Sequence, residues 1–401
     1  MHHIAELKNV IQNYSWGSET AIAELLGVKP AVGTPQAELW MGAHPKAPSL
    51  INQNGQWVSL EALIEEHPAE ILGESVTENF GGRLPFLFKV LAAAQPLSLQ
   101  AHPSLEQARQ GYDRENRLGI PLDAPNRNYK DDNHKPECIC ALTPFTAMSG
   151  FRAIDQTLTL MDRMALKGLR TLLMQLREQP NASGLKAFFR SLMSLPEDVK
   201  REVTTEAVER ALALGNSESA CSWVVALAEA YPGDIGILSP LFLNLVELQP
   251  GEAVALPAGQ LHAYLEGVGI ELMANSDNVL RGGLTPKHVD VPELLDVLHF
   301  APLTIQRLLA EPATSGERVY ASSFAEFVLS TIAVTAATVY TSQAQHSAEI
   351  LLCTAGAATI TETDSGKRLP LNRGVSVLVP ASVKQYSISG DATVYKAAVP
   401  L

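Results

Sequence analysis

The chain has 401 residues, of which 46% are hydrophobic and 18% are charged, and its formal net charge at pH 7 is −13. This length and composition predict a globular protein of two or three domains and exclude an intrinsically disordered chain. The negative charge argues against general binding to nucleic acid or to anionic membranes, so an anionic substrate would have to meet basic residues gathered locally.

The first ninety residues predict loops, short strands and one buried strand with an unexpected charge. Trp16 and Trp40 lie in the N-terminal part, and we interpret them as core or pocket wall. The run 85–91 is apolar except for Lys89, which is unusual because lysine is rarely fully buried without a partner.

The stretch 95–103, Gln-Pro-Leu-Ser-Leu-Gln-Ala-His-Pro, predicts a half-buried strand. Apolar and polar residues alternate in it, and side chains two positions apart on a strand point to the same face. Ser98, Gln100 and His102 therefore share one face, which suggests a polar pocket in the mouth of a barrel.

Two further stretches, 131–137 and 261–264, are expected to line the same pocket. With the first stretch they offer Gln, His, Glu and His, a plausible set of nitrogen and oxygen ligands for a borderline divalent ion. A lone histidine on a strand is more often hydrogen-bonded structure than a ligand, so spacing alone leaves both interpretations open.

From about residue 154 to residue 231 the pattern changes to that of helices. Apolar residues recur at spacings of three and four, with breaks at 180–184 and 195–196. The block contains no cluster of histidines or carboxylates, so we interpret it as a packing or lid domain.

After this block the strand pattern resumes, from residue 241 onward, and from about residue 324 short strands separated by turns predict an all-β sandwich or barrel. The turn pattern 248–258 recurs at 371–381, and a later glycine recurs at the same offset, as Gly267 and Gly390. We interpret this as one β-unit used twice, with Gln385 in the position of His262. Coincidence between two turn patterns is the alternative.

Several segments resemble the signature segments of the type I mannose-6-phosphate isomerases, also called phosphomannose isomerases. They are 13–17 (NYSWG), 37–45 (AELWMGAHP), the stretch 95–103, 133–137 (NHKPE), 262–265 (HAYL) and 274–287 (ANSDNVLRGGLTPK). The likeness spans residues 9–300 in order, and the C-terminal part has little to match.

The resemblance implies a mainly β fold with an α-helical insertion and two cupin-like β-barrels, or jelly rolls. We expect a discontinuous metal-binding cupin domain from residues 1–150 and 236–315, a helical insertion at 151–235, and a C-terminal barrel without metal ligands at 316–401. It also implies a zinc-dependent aldose–ketose isomerase that interconverts mannose 6-phosphate and fructose 6-phosphate through a cis-enediol.

The resemblance also implies roles for individual residues. The zinc ligands, for one Zn²⁺ per chain, would be Gln100, His102, Glu137 and His262. The catalytic residues would be Arg281, Lys135, His134 and Asp277, and the residues that bind the substrate would be Ser98, Lys89, Lys287 and Trp16. Small departures from the family pattern, at Ala101, Leu272 and Gly282, involve no ligand.

The roles of three of these residues stay open. Arg281 would stabilise the enediolate or bind phosphate, because its permanently charged fork suits either. His134, whose free pKa is near neutral, would open the sugar ring or move the proton, and Asp277 is the alternative proton carrier. Asp277 would otherwise only form a turn, and His134 would only cap a loop. We expect His44, His288 and His299 to be structural.

Two other functions fit part of this pattern. Two histidines and one carboxylate also describe non-haem iron oxygenases, although the fourth ligand and the lysine and arginine set count against that reading. A non-catalytic sugar-phosphate-binding protein is the second alternative.

Features outside the pocket predict where the protein works. The four cysteines form no CxxC motif, which predicts reduced thiols, and neither a secretory signal nor an apolar run of membrane-spanning length is visible. We therefore expect a cytoplasmic protein that binds neither nucleic acid nor membrane. We also expect a monomer, and the resemblance implies a small sugar phosphate as its substrate.

Overall fold

The computed structural model describes residues 2–53, 55–215, 219–314 and 316–401, and within them are two eleven-stranded antiparallel sheets and a helical block. The strands are β1 Ala5–Lys8, β2 Val10–Gln12, β3 Glu38–Gly42, β4 Leu50–Gln53, β5 Gln56–Ser59, β6 Phe86–Ala93, β7 Leu99–Ala101, β8 Glu137–Ala141, β9 Phe145–Phe151, β10 Leu243–Leu248, β11 Glu252–Leu256, β12 His262–Ala274, β13 Leu280–Gly283, β14 Leu308–Leu309, β15 Glu311–Thr314, β16 Glu317–Tyr320, β17 Val328–Val334, β18 Val339–Thr341, β19 Glu349–Glu362, β20 Arg368–Asn372, β21 Ser376–Val379 and β22 Tyr386–Ala398. The helices are α1 Ala21–Leu25, α2 Leu60–Glu66, α3 Pro68–Leu72, α4 Glu74–Asn79, α5 Leu105–Arg117, α6 Ile154–Met164, α7 Arg170–Glu178, α8 Ala182–Met193, α9 Glu197–Leu214, α10 Ser219–Ala230, α11 Ser239–Phe242 and α12 Val291–Val297, with 3₁₀ turns at Lys167–Leu169 and Ile235–Leu238.

The first sheet runs in the order β14-β11-β8-β12-β6-β3-β2. Its other four strands branch from β12: β7 and β9 pair with β12 itself, β13 pairs with β7, and β10 pairs with β9. Its central strand is β12, which pairs with β7 and β9 along 262–266 and with β6 and β8 along 267–274. The change of partners occurs at Gly267, whose φ is +125°. A Cβ at this position would stand 2.7 Å from the carbonyl oxygen of Pro144. Glycine therefore lets one long strand bend round the barrel.

The helical block, α6 to α10, packs beneath the strands that carry the predicted metal ligands. Local capping explains where helices begin: Asn181 accepts a hydrogen bond from the backbone of α8, and Ser104 and Gln107 form a capping box at the start of α5. The core of the block includes four buried residues from β7, β12 and the position just before β12: Leu99, Ala101, Leu261 and Ala263. These residues alternate with Gln100 and His262, so the helices hold the strands from the side opposite to the pocket.

The second sheet runs in the order β15-β16-β17-β22-β19-β21-β1-β4-β5. The N-terminal strand β1 belongs to it, since Ala5 pairs with Leu378 of β21, and Leu7 pairs with Ile51 of β4. The N-terminal segment therefore joins the C-terminal barrel by backbone hydrogen bonds.

The two sheets share one apolar core. It takes residues from both barrels: Phe86, Phe88, Val90, Ile270 and Leu272 from β6 and β12, and Tyr320, Phe327, Leu329, Ile350 and Leu352 from the C-terminal part. Lys89 and Glu271 alternate with these residues on β6 and β12 and so point away from the shared core. The barrels are thus fused through buried side chains.

The repeat predicted from turn patterns has matching backbone geometry. Gly251 and Gly374 have φ of +87° and +86°, and Gly267 and Gly390 have φ of +125° and +143°. β12 and β22 each span thirteen residues. Gln385 donates a hydrogen bond to the carbonyl oxygen of Ser342. The two units therefore share their turns, and the second has a satisfied amide where the first has His262.

The fold class predicted from the sequence, mainly β with two barrels and a helical insertion, is confirmed. Among the described residues no helix has the length and apolar character needed to cross a membrane. The strand predicted from residue 241 starts later than expected, because Ser239 and Pro240 open the short helix α11 before β10 begins at Leu243. Proline is favoured in the first turn of a helix, where no backbone donor is lost.

Candidate metal centre

The metal centre is built on the pairing of β7 with β12 and β13. Gln100 is opposite His262 in one pairing and opposite Arg281 in the other. Residues directly opposite each other in antiparallel strands share a face, and His102 lies two residues beyond Gln100. Sheet geometry therefore gathers an amide, two imidazoles and a guanidinium on one side of the barrel.

Three buried side chains meet at the centre of this face: His102, Glu137 and His262. One ligand atom from each lies within 4.8 Å of the others. His102 Nε2 is 3.2 Å from Glu137 Oε1, and His262 Nε2 is 3.4 Å from Glu137 Oε2. Neither Nε2 atom has a hydrogen-bond partner among the described residues, although both are buried.

Backbone carbonyls fix the tautomers of both histidines. His102 Nδ1 lies 2.7 Å from the carbonyl oxygen of Asn278, and His262 Nδ1 lies 2.9 Å from that of Gln260. A carbonyl only accepts, so Nδ1 carries the proton and Nε2 presents a lone pair. Lone pairs of two imidazoles thus face carboxylate oxygens across about 3 Å, an arrangement that a cation between them would stabilise. These residues fit a divalent metal such as zinc.

The electrostatics of the group suit metal binding. Burial, together with the nearby Lys135, lowers the pKa of His102 to about 4, so its ring is neutral near pH 7. Burial acts to raise the pKa of Glu137, but Lys135 and the two histidines outweigh it and hold that pKa well below its usual range. Lys135 Nζ is 2.8 Å from Glu137 Oε1, and the Tyr264 hydroxyl donates to Oε2 over 3.1 Å. The carboxylate is therefore ionised.

The buried Lys89 has two carboxylate neighbours. Lys89 Nζ is 2.9 Å from Glu271 Oε2 and 3.7 Å from Glu38 Oε2, and it lies 5.2 Å from the ring centroid of Trp40. Burial alone would lower the pKa of Lys89, but Glu271 and Glu38 raise it on balance, so the lysine stays charged. The sequence analysis missed both carboxylates, although Glu271 interrupts an apolar strand just as Lys89 does.

Asp277 is held by two N-terminal residues. Lys46 Nζ is 2.8 Å from Asp277 Oδ2, and His44 Nε2 is 3.7 Å from Oδ1. Burial lowers the pKa of His44, and the charge of Asp277 raises it by less, so the pKa stays below its usual value. His44 was expected to be structural and Lys46 was not singled out. No spacing rule connects either to Asp277, because more than 200 residues separate them.

The loop that carries His134 is tied to the loop that carries Asp277. The side chain of Asn278 accepts from the backbone of Lys130 and donates to the carbonyl oxygens of Asp131 and Asn133. His134 Nε2 lies 2.5 Å from Oε1 of Glu326, a residue of the C-terminal barrel that the sequence analysis missed.

Basic residues collect beside the centre, as an anionic substrate would require in this acidic protein. Burial and repulsion from Lys46, Arg127 and Arg281 lower the pKa of Lys130. Burial lowers the pKa of Arg281, and burial with repulsion from Arg281 lowers that of Lys287. These residues therefore form a local field of positive charge, which we call the cationic rim: Lys46, Lys130, Arg281 and Lys287.

The two remaining predicted residues lie on the approach to β7. Ser98 is half-buried directly before this strand. The carbonyl oxygen of Trp16 accepts from the backbone of Ala94 and Gln95, and the Trp16 ring stacks on Tyr14 with centroids 5.7 Å apart. No contact of either side chain with the metal-binding group is seen among the described residues.

Comparison with known proteins identifies a family. The model for the catalytic domain of type I phosphomannose isomerase matches residues 4–154, the model for the helical insertion domain of that family matches 166–243, and the model for the cupin domain of mannose-6-phosphate isomerase matches 320–398.

Full-length relatives agree with these matches. Mannose-6-phosphate isomerase from Salmonella typhimurium is 44% identical over 392 residues, which are 96% of this chain and 97% of the relative. The Homo sapiens protein of the same name is 36% identical over 405 residues, covering 94% of this chain and 93% of the relative. A solved structure of a zinc-bound mannose 6-phosphate isomerase is 40% identical, with a TM-score of 0.92 over 99% of this chain and 100% of that chain. The resemblance noted in the sequence is confirmed, and the chain belongs to the type I phosphomannose isomerase family.

Proposed function

We propose that this protein interconverts mannose 6-phosphate and fructose 6-phosphate with a zinc ion held by His102, Glu137 and His262. The observation that carries the proposal is the set of buried lone pairs that face one another in this group, beside the cationic rim. The names of the full-length relatives and the zinc in a related structure support the same reaction.

The ligand set we propose has Gln100 as its fourth member and binds one zinc ion per chain. Gln100 supports this role by its register, since it lies opposite both His262 and Arg281. Bound zinc supplies Lewis-acid stabilisation of the negative charge that develops on the sugar oxygens during isomerisation. Two neutral histidines, one neutral amide and one carboxylate keep the net charge of such a site positive.

Charged residues next to the ligands would stabilise the enediolate. Lys135 is buried, and its contact with Glu137 holds its ammonium group in place beside the ligands. Because little water reaches this position, the positive charge would stabilise a nearby enediolate strongly. Arg281 lies directly across from Gln100, which favours the enediolate rather than the phosphate as its partner. Its pKa is lowered only by burial, and a guanidinium remains charged at neutral pH.

Isomerisation needs a group that carries a proton between C2 and C1, and we propose His134 for this role. Its Nε2 donates to Glu326, which leaves the Nδ1 lone pair to accept a proton. Asp277 is less suited, because its carboxylate is already paired with Lys46 and lies near His44. We propose that Asp277 instead orients the loop beside the sugar.

The phosphate would be bound at the outer part of the cationic rim. Lys287 is exposed, burial and then repulsion from Arg281 lower its pKa, and an anion bound at Lys287 would offset that repulsion. Lys130 supports the same role. Ser98, Lys89 and Trp16 would line the sugar pocket.

Other properties of the protein are part of the same proposal. We propose a cytoplasmic monomer that binds neither nucleic acid nor membrane. We retain the domain limits of 1–150 with 236–315, 151–235, and 316–401, with the N-terminal strand β1 hydrogen-bonded into the C-terminal sheet.

The test is turnover of mannose 6-phosphate to fructose 6-phosphate by purified protein, before and after removal of metal with a chelator and again after addition of zinc. We expect the chelator to abolish turnover and zinc to restore it. Metal content measured on the same samples should approach one zinc per chain.

Two outcomes would favour the alternatives. Sugar phosphate binding without turnover in the zinc-loaded protein would indicate a binding protein, and oxygen consumption after loading with iron would indicate an oxygenase. The cationic rim weighs against an oxygenase, which does not need it, and the intact metal-ligand set weighs against a binding protein, which needs no metal.

A further inference from the structure

A carboxylate of the C-terminal barrel reaches the loop that leads into β8. Glu326 lies in the segment 321–327 between β16 and β17, and its Oε1 is 2.5 Å from Nε2 of His134. The two residues are 192 positions apart in the sequence. The contact crosses the boundary between the two barrels, and no other hydrogen bond of the His134 ring is seen in the described part of the chain.

The segment that presents Glu326 is anchored rather than exposed. Phe327 is buried in the core shared by the two barrels, and Phe324 packs against the same core with its ring centroid 5.2 Å from that of Phe327. Glu326 itself is 9% exposed. A side chain held between two anchored aromatic residues loses little conformational freedom when it binds His134.

The backbone of His134 is fixed independently of Glu326. Its N–H donates to Asn133 Oδ1, and the Asn133 amide donates to the carbonyl oxygen of Asn275. The loop therefore fixes the backbone of His134 in the segment that leads to the ligand Glu137, and the contact with Glu326 sets how the ring is oriented and which nitrogen carries the proton.

The chemistry of the pair leaves one tautomer. Burial acts to raise the pKa of Glu326, but the hydrogen bond to His134, the charge interaction with it and backbone hydrogen bonds together hold the pKa below its usual value, so the group is a carboxylate. A carboxylate only accepts hydrogen bonds, so Nε2 of His134 must carry a proton. In the neutral ring Nδ1 then has the free lone pair, as a proton carrier requires.

We propose that Glu326 is a positioning residue for the isomerisation and that the C-terminal barrel serves catalysis through it. The inference rests on the proposed function, in which His134 carries the proton. It gives a role to a barrel in which Gln385 replaces the metal ligand and no metal-binding group is seen among its described residues.

The first test compares two variants that remove the same kind of charge from the same barrel. Glu326→Gln keeps the shape of the side chain and removes its charge. Glu362→Gln is the matched control, since Glu362 is also buried, also belongs to the C-terminal barrel and also contacts a histidine, His3, at 2.9 Å.

We expect Glu326→Gln to lower kcat by about tenfold or more, within the range of general acid–base effects, with KM and zinc content unchanged. Glu362→Gln should keep the wild-type kcat. Equal kcat for wild type and Glu326→Gln would overturn the inference, and so would equal losses in the two variants, which would indicate a structural effect alone.

A double-mutant cycle with His134→Ala tests whether Glu326 acts through His134. We expect Glu326→Gln to reduce kcat in the wild-type background and to leave it unchanged when His134 is already alanine. Independent effects, in which the two reductions multiply, would contradict the inference.

A spectroscopic readout separates this inference from the proposed function. In protein labelled with ¹⁵N at histidine, the His134 signal, identified by its loss in His134→Ala, should show the Nε2–H tautomer and should change in Glu326→Gln. A wild-type protein without turnover would contradict the proposed function, whereas a His134 signal that is unchanged in Glu326→Gln would contradict this inference alone.

Discussion

Lys89 and Glu271 stand directly opposite each other on β6 and β12 and form a buried ion pair, with 2.9 Å between Nζ and Oε2. Both side chains are almost fully buried. Removing one partner of such a pair leaves an uncompensated charge in a medium of low dielectric constant. The two residues therefore matter for stability mainly because the loss of either one would leave the charge of the other buried without a partner.

We expect Lys89→Met to destabilise the protein by about 3–5 kcal/mol, because Glu271 and Glu38 would lose their common cation. The measurement is the midpoint of urea denaturation. The double variant Lys89→Met/Glu271→Leu should recover part of the loss, and Lys29→Met, at an exposed position, is the control. A midpoint for Lys89→Met equal to that of the control would contradict the prediction.

Zinc should stabilise the folded protein. A metal that binds only the folded state at a free concentration one hundred times its Kd adds about 2.7 kcal/mol. We therefore expect a chelator to lower the Tm of the wild type and zinc to restore it. In His262→Ala the Tm should not respond to either treatment, whereas His288→Ala, at an exposed histidine, should respond as the wild type does. An unaltered response in His262→Ala would count against that ligand.

Alanine at Gly267 or Gly390 should destabilise the barrel that contains it. Both glycines have positive φ, and a Cβ would stand 2.7 Å from the carbonyl oxygen of Pro144 in one case and 2.5 Å from that of Ala357 in the other. Gly366→Ala is the control, because its φ is also positive but nothing lies within 4 Å of the added carbon.

Since the backbone must move in both barrels, we expect Gly267→Ala and Gly390→Ala to cost about 1–3 kcal/mol more than Gly366→Ala in urea denaturation. Similar losses at the two equivalent sites would support the repeat. If only one of the two variants were destabilised, the two turns would not be equivalent.

The C-terminal barrel contains a buried ion pair of its own, whose effect should depend on pH. Lys396 Nζ is 2.7 Å from Glu317 Oε1. Burial opposes ionisation of both groups, but on balance Lys396 lowers the pKa of Glu317, and the carboxylates of Glu349 and Glu317 raise the pKa of Lys396.

A carboxyl group with a lowered folded-state pKa stabilises above its ordinary pKa of 4.5, and this contribution is lost as the pH falls through the folded-state value. The Tm difference between wild type and Glu317→Gln should therefore be constant between about pH 6 and about pH 9, where Glu317 and Lys396 are both ionised. It should shrink as the pH falls below 4.5. Glu311→Gln, at an exposed position, should show no such trend. A constant difference down to acid pH would mean that the ion pair does not supply the stability.

Some of these features could be predicted from the sequence because they depend on local patterns. Strand alternation places Gln100 and His102 on one face, and the turn pattern predicted that the unit containing Gly267 recurs at Gly390. The family segments added Glu137 and His262, which the structure brings together with His102.

The residues that sequence analysis missed are joined by contacts over long distances along the chain. Glu326 meets His134, and Lys46 meets Asp277, through packing between segments that have no fixed spacing. The first contact follows from how the two barrels are fused and the second from how loops of the first barrel pack, and alternation and turn chemistry specify neither. The partner of a buried charge can be expected from the cost of burying it, but its position along the chain cannot.

Lys287 gives the most direct test of where the phosphate binds. A hydrogen bond to a charged group contributes about 1.5 kcal/mol at the lower end, which corresponds to roughly tenfold in affinity. We therefore expect Lys287→Met to raise KM by about tenfold with kcat nearly unchanged, since the phosphate is bound equally in substrate and transition state. Inorganic phosphate, used as a competitive inhibitor, should lose affinity by a similar factor. Lys29→Met, which removes an exposed charge far along the chain from these loops, controls for the change in net charge. A fall in kcat with unchanged KM would instead place Lys287 beside the enediolate, and it would leave Arg281 as the better candidate for the phosphate.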